Sequence, residues 1–310
     1  MTAAAECSLA PPLSDPSRFL VVDGHAYAYR AFYAIRSLLS PEGISTNAIF
    51  GFIKMLTKMC AGLRPTHVAI VWDGGLSEQR VKNLPDYKAQ RPAMPEDLGR
   101  QIGEIQTYLD AARIASLVEK GVEADDRIAA LAKRATANGA KVVIASSDKD
   151  FMQLVSTEVG LLNPNDKTEA VWTQHQVLSK TGVRPDQIVD WLSLIGDAVD
   201  NIPGVTGVGP KTATELLRQY ESVDGLYAGI AEIRSARLRD NLRVAQEAVA
   251  RNRALIRLMD DLPGHFSLAE FALKTPDVDR LRELYSRWGF KSLRQELKLE
   301  ESSAVQHELF

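Results

Sequence analysis

An α/β fold, with a parallel sheet flanked by helices and then a helical C-terminal part, is what this sequence predicts, and three observations carry the prediction. Short β-branched runs recur at Arg18–Asp23 (RFLVVD), 67–73 (HVAIVWD) and Lys141–Ala145 (KVVIA). Their cores are continuously apolar rather than alternating, as in strands buried on both faces. Amphipathic helical stretches separate them, and strand–helix alternation builds a parallel sheet. Beyond Val171 the strand signals nearly vanish, which gives the second half to helices.

Taken in order, the first run stops at Asp23 and Gly24, so a buried strand ends there at a turn. Residues 27–35 carry aromatics at helical spacing, and 46–59 read as a second amphipathic helix. The strand at 67–73 repeats the first pattern, ending in Asp73 before Gly74-Gly75. Residues 76–95 are polar, hold Arg80, Lys82, Lys88 and Arg91 with three prolines, and predict a mobile excursion from the sheet. A helix over 104–112, a strand over 114–118 and a helix over 123–138 follow, and then the run at 141–145 leads into SSDKD. From 173 to 260 successive helices are interrupted at Gly182, Gly196, 204–209 and Gly225. The expected organisation is a flexible tail over 1–17, an α/β part over 18–172 and a helical part over 173–299. A final tail covers 300–310.

Composition excludes several classes. The chain has 310 residues, 45% hydrophobic and 25% charged, with 37 basic side chains against 40 acidic, a net charge of −3. That balance rules out a disordered or collagen-like chain and a uniformly basic surface. The only cysteines, Cys7 and Cys60, form no C-x-x-C pair, which points to a reducing interior rather than a disulfide framework. No apolar stretch approaches the ~18 residues of a membrane span. Residues 1–17 lack the basic start and apolar stretch of a secretory signal. The expected location is the cytoplasm, with no membrane partner.

Ligands of parallel α/β sheets sit at the carboxyl ends of strands, and acids gather there. Asp23, Asp73 and the pair Asp148/Asp150 follow strands, Glu123-Ala124-Asp125-Asp126 opens a helix, and Asp197 and Asp200 flank a break. Any one of them serves as a helix cap. Together they cannot, because carboxylates converging from separate strands repel. Two charges ~5 Å apart at an effective dielectric of ~20 repel by roughly 3 kcal/mol. Protons or cations must neutralise such a group, and an all-oxygen set selects Mg²⁺ or Mn²⁺ over zinc. The five histidines never occur at ligand spacing, and His25 reads as a packing or hydrogen-bonding residue. Such a site suits two-ion phosphoryl chemistry, one ion activating water and the other stabilising the leaving oxygen. No Walker A sequence, kinase glycine loop or dinucleotide fingerprint is present.

A second feature is the stretch 202–213 (IPGVTGVGPKTA) between two helices. Gly204, Gly207 and Gly209 allow a tight turn with exposed N–H groups. The next helix starts at Pro210 with its positive end outward, and Lys211 adds charge for a phosphate. The arrangement resembles a helix-hairpin-helix, spanning about 190–220, that grips duplex backbone without reading bases. Tyr87, Lys88 and Arg91 offer aromatic and cationic contacts to a single strand. Seven arginines between 234 and 257 add a basic helical face.

Together VVDGHAYAYRAFYAI, VWD, LPDYKAQR, GVEADD, SSDKDFMQL, GDAVDNIPGV and TGVGPKTA resemble the 5′-nuclease family. The likeness is greatest to the 5′→3′ exonuclease domain of bacterial DNA polymerase I, a relative of flap endonucleases. It runs from about residue 18 to 299, and the expectation is a free-standing version of that domain. The resemblance implies a PIN-like core, an arch or clamp around 76–112 and a helix-hairpin-helix. It further implies structure-specific hydrolysis of DNA at 5′ ends, flaps or nicks, and of RNA primers on DNA, in replication and repair. Two ions, Mg²⁺ or Mn²⁺, are implied. Asp23, Asp73, Glu123 and Asp125 are expected nearer the first and Asp150 and Asp197 nearer the second. Asp148 is expected between them, and Asp126 and Asp200 are expected to act through water.

By the same resemblance Lys88 stabilises charge on the scissile phosphate, Arg91 contacts a neighbouring phosphate and Tyr87 stacks, while Asp73 and Asp150 are indispensable for cleavage. The hairpin residues Gly204, Gly207, Gly209, Lys211 and Thr212 match a duplex-binding turn that holds K⁺ through carbonyls. Implied functional partners are a DNA polymerase and a ligase, with the chain a monomer associated with a bacterial nucleoid. Val199 stands where relatives often have Ser or Ala. Two other readings are a non-catalytic DNA-structure-binding paralogue and a hydrolase of small phosphoesters.

Overall fold

The structure is a computed structural model describing residues 17–308, with side chains placed through Leu299. Residues 1–16 of the expected N-terminal tail, and 309–310 of the C-terminal one, lie outside the described residues. The first half runs β1 (Arg18–Asp23), α1 (Gly24–Ala34), α2 (Asn47–Leu63), β2 (His67–Trp72), α3 (Glu78–Asn83), α4 (Glu96–Ala111), β3 (Ala115–Val118), α5 (Ala124–Ala137) and β4 (Lys141–Ala145). A 3₁₀ turn over Lys149–Leu154 leads to β5 (Val159–Leu162) and β6 (Val171–Trp172). The second half runs α6 (Gln174–Thr181), α7 (Ile188–Ile195), β7 (Gly196–Asp197), β8 (Ile202–Pro203), α8 (Pro210–Tyr220), α9 (Val223–Ala228), α10 (Ala236–Val244) and α11 (Gln246–Ile256). Two last helices, α12 (Val278–Arg287) and α13 (Lys291–Glu308), close the described chain.

The main sheet has the order β3-β2-β1-β4-β5-β6. Chain progression reverses beside β1, so the crevice at its carboxyl end is the switch point where such sheets bind ligands. Registers place Asp23 beside Val71 and Val22 beside Ala145, so β1, β2 and β4 finish at one level. Strand alternation sends Phe19 and Val21 to one face and Leu20 and Val22 to the other. The first face packs on α5 and the helical second half, and the opposite face on α1, α2 and α4. Burying each such Leu, Ile or Phe contributes about 1.5–3 kcal/mol.

Four differences from expectation have physical reasons. The sheet is mixed, because β6 pairs antiparallel to β5, and β5 is only VGLL, too short to announce itself. Gly225 lies inside α9, where the Ser222 side chain accepts from its N–H and starts the helix. Residues 96–111 do not leave the body as part of an arch. Leu98, Ile105 and Leu109 bury α4 in the core, so only 76–95 departs from the sheet. The helix α13 continues through Glu308 into the expected tail, and α12 returns to the α/β layers, its Leu281, Leu284 and Tyr285 joining the core beneath α4. Among the described residues no helix is long and apolar enough to cross a membrane.

Candidate metal centre and its cationic surround

Three strand ends and two helix starts build the site. Asp23 closes β1 and caps α1; its Oδ1 accepts from the Ala26 N–H at 3.0 Å and its Oδ2 from the Ser146 hydroxyl at 2.8 Å. Asp73 follows β2. Its own N–H donates to His25 Nδ1 at 3.1 Å, and its Oδ1 accepts from Ala124 N–H, at the positive end of α5, at 3.3 Å. Asp148 caps the 3₁₀ turn, accepting from the Asp150 N–H at 2.8 Å. Asp197 in β7 accepts from the Val199 N–H at 2.9 Å. A cleft of about 450 Å³ is lined by Asp23, Asp73, Asp125, Asp148 and Asp197 together with Lys149.

Oxygens of Asp150, Asp197 and Asp200 lie within 4.8 Å of one another, and all three residues are buried. Asp150 Oδ1 is buried without a hydrogen-bond partner among the described residues. Burial, then repulsion from Asp148, pushes Asp125 and Asp150 well above the usual carboxylate range. Asp148 is raised by burial first. Asp23 is pushed up to about 6, by burial and then by the charges of Asp148 and Asp73, against its two hydrogen bonds. Acids held in this way favour protons, or cations in their place. The donor set is all oxygen, with an orphaned carboxylate atom inside it, and so it fits hard divalent ions.

Two predicted acids are engaged elsewhere. Glu123 Oε1 accepts from the Ser77 N–H at 3.1 Å and faces Arg80 at 3.1 Å; its Oε2 lies 2.5 Å from Lys88 Nζ and 3.2 Å from Tyr87 Oη. Those cations outweigh burial and hold its carboxyl below the usual range. Asp126, expected to reach a metal through water, is instead clasped by the Arg80 guanidinium at 2.7 Å on each oxygen and accepts from the Met259 N–H at 2.9 Å. Neighbours on a helix point in different directions. Asp125 therefore faces the cleft while Asp126 faces Arg80 of α3 and the segment just past α11.

The basic excursion is folded onto these acids. Tyr87 and Lys88 are only 4% and 6% exposed, so the Tyr87 ring is not presented for stacking. Its hydroxyl sits 3.3 Å from Asp200 Oδ2 as well as beside Glu123. The Lys88 N–H donates to the Asp200 carbonyl at 3.1 Å, and Asn201 Nδ2 donates to the Asp86 carbonyl at 2.9 Å. Arg91 pairs with Asp200 Oδ1 at 2.6 Å. Burial depresses the Lys88 ammonium, but Asp125, Asp200 and Glu123 more than compensate and hold it charged.

The glycine turn joins α7 to α8 through the β7–β8 pair, in which Asp197 faces Ile202. A Cβ on Gly204 would fall 2.3 Å from the Ile195 carbonyl carbon, so only glycine lets the strands approach the helix end. Gly207 has φ +79°, a region open to glycine at little cost. Gly209 precedes α8 in extended backbone, with Lys211 exposed and Thr212 half-buried on the first turn. Asn252 Nδ2 donates to the Ser193 and Pro203 carbonyls at 3.1 and 2.7 Å and fixes the turn to α7.

Lys149 and Arg80 were not singled out as site residues by the sequence reading. Lys149, paired with Asp197 Oδ2 at 2.6 Å, had a signal, because it stands between two of the predicted acids. Arg80 had none, since its partners on α5 and the carbonyls of Leu255 and Arg257 are remote in sequence.

Comparisons with known proteins agree with this architecture. Residues 18–182 match the family model described as 5′-3′ exonuclease, N-terminal resolvase-like domain, and 183–279 match 5′-3′ exonuclease, C-terminal SAM fold. A 5′-3′ exonuclease of Aquifex aeolicus is 38% identical over 291 residues, covering 94% of this chain and 98% of the relative. DNA polymerase I of Bacillus caldotenax is 36% identical over 91% of this chain, which spans only 32% of the polymerase's length. Among solved structures, T5 5′-exonuclease bound to zinc superposes with a TM-score of 0.65 at 22% identity, covering 78% of this chain and 90% of that one. The catalytic core of Rad2 in complex with DNA substrate gives 0.64 at 17% identity, covering 92% of each chain.

Proposed function

Because the chain belongs to the 5′-3′ exonuclease family, we propose that it hydrolyses phosphodiester bonds at 5′ ends and 5′ flaps of DNA, and of RNA primers paired to DNA, with two divalent cations, Mg²⁺ or Mn²⁺. The observation that carries this reading is the buried Asp150–Asp197–Asp200 group with its unpartnered oxygen, opening on a cleft lined by further acids. Asp23, Asp73 and Asp125 would hold one ion and Asp150 and Asp197 the other, with Asp148 between. Asp200, expected to act through water, has an oxygen within 4.8 Å of those of Asp150 and Asp197 and would join the second set directly. The cations would supply water activation and offset charge developing on the leaving oxygen.

The chain's own residues do the rest. Lys88 and Arg91 exchange Glu123 and Asp200 for oxygens of the scissile phosphate and stabilise its growing charge. Glu123 is the resting partner that keeps Lys88 at the cleft. His25, accepting from the Asp73 N–H, holds the end of β2 in place. The turn at 204–212 grips duplex backbone through N–H groups, Lys211 and Thr212, and its carbonyls would hold K⁺. We place the enzyme as a monomer in the bacterial cytoplasm, working beside a DNA polymerase and a ligase in replication and repair.

A labelled 5′-flap duplex incubated with Mg²⁺, with Mn²⁺ and with EDTA tests this. Metal-dependent products cut near the junction are expected from a flap nuclease, and mononucleotides alone mean exonuclease action. Tight binding without cleavage under either metal would replace the proposal with the non-catalytic paralogue.

A further inference from the structure

The Asp150–Asp197–Asp200 group already holds cations of the protein's own, Arg91 on Asp200 and Lys149 on Asp197. Asp197 has one oxygen occupied by the Val199 N–H and the other, Oδ2, by Lys149 Nζ at 2.6 Å. Lys149 rises from the 3₁₀ turn between Asp148 and Asp150, and its side chain is 35% exposed where it lines the cleft. Asp197 is buried at 6%. Asp150, by contrast, presents a buried oxygen with no hydrogen-bond partner among the described residues. A divalent ion seated on this group needs an Asp197 oxygen, and an ammonium and a metal cannot both hold Oδ2. Once displaced, the ammonium remains tethered at the cleft wall, where the closest incoming anion is the substrate phosphodiester.

We propose that Lys149 is the resident counter-ion of the second metal position: it yields Asp197 to the divalent ion and transfers its charge to the phosphodiester being cut. This assignment rests on the two-ion nuclease reading above. It makes Lys149 a residue with two opposite effects. Without DNA it competes with the metal; with DNA it adds a third positive group beside Lys88 and Arg91. A plain structural ion pair cannot behave so, because losing it would weaken metal binding and cleavage together, or neither.

The test uses the full chain and Mn²⁺ alone, titrated by calorimetry in the absence of DNA. Single-turnover cleavage of a 5′-flap duplex at saturating Mn²⁺ is measured alongside, and circular dichroism checks the fold. Lys149→Met is expected to bind the weaker Mn²⁺ about three- to tenfold more tightly, the size expected when a competing ion pair is removed. It should also cleave at least about tenfold more slowly, as expected when a charge on the transition state is lost. Lys149→Arg should restore both values most of the way, and Lys149→Gln serves as a second uncharged variant if Met disturbs folding. Unchanged or weaker Mn²⁺ binding, or undiminished cleavage, overturns the assignment. If the unaltered chain fails to cleave, the nuclease reading falls by itself, and the calorimetry still decides whether Lys149 competes for Asp197.

Discussion

Asp150 offers the most direct test among single residues. Asp150→Asn keeps the shape but removes one charge from a buried group, so cleavage should fall by at least about 10²-fold in single-turnover assays, with duplex binding largely retained. In EDTA, at a pH high enough to ionise the cluster, the same variant should melt higher than the parent, since a like charge has been taken from it. The protonation of Asp23 makes a related prediction. Burial lifts its carboxyl to about 6, against about 3.9 in an unfolded chain. Between those values the unfolded chain binds fewer protons, so stability in EDTA should decline as pH rises from about 4 to about 6. Added Mg²⁺ should offset the decline and raise the melting temperature more at pH 7.5 than at pH 5; an equal rise at both would count against metal binding by these acids. The convergence of the strand-end acids was legible because strand ends and acids coincide in the sequence. The clasp of Arg80 on Asp126 was not, as nothing local distinguishes a cation that will be buried from one left in water.

At the scale of elements, the turn between α7 and α8 separates glycines that are required from one that is not. Gly204→Ala would drive a Cβ to within 2.3 Å of the Ile195 carbonyl carbon. It should cost more than about 2 kcal/mol in denaturant unfolding and weaken duplex binding with it. A Cβ on Gly209 meets no described atom within 4 Å. Gly209→Ala should therefore leave stability within about 0.5 kcal/mol, so that any loss of duplex affinity there reports contact with DNA. The spacing of glycines and the helix start at Pro210 made this turn readable in advance. The excursion at 76–95 was readable only as polar. Its folding onto the acids comes from long-range pairings of Tyr87, Lys88 and Arg91 with Glu123 and Asp200. Likewise α4 was placed in an arch because its apolar stripe does not announce which surface it will cover.

For the molecule as a whole, the α/β body is not finished when β6 ends. The helix α12 returns to it, and Leu284 is buried in the same core as Ile53 and Ile105. Leu284→Ala should cost about 2–5 kcal/mol, measured by chemical unfolding, with β1 and α2 losing hydrogen-exchange protection alongside α12. The expected split at residue 172 coincides with the last strand of the main sheet, but the short pair β7–β8 lies beyond it, and sequence periodicity cannot show which layer a late helix rejoins. The strand pair β7–β8 has a consequence of another kind. Asp197 lies on one of its strands, the other leads directly into the glycine turn, and Asn252 pins that second strand to the end of α7. The acid group and the glycine turn are thus parts of one rigid piece. If the turn holds duplex and the acids cut it, as proposed, the distance between grip and cut is set by a few residues of rigid backbone, like the gap of a caliper, and varying the length of the flap should leave product length unaltered.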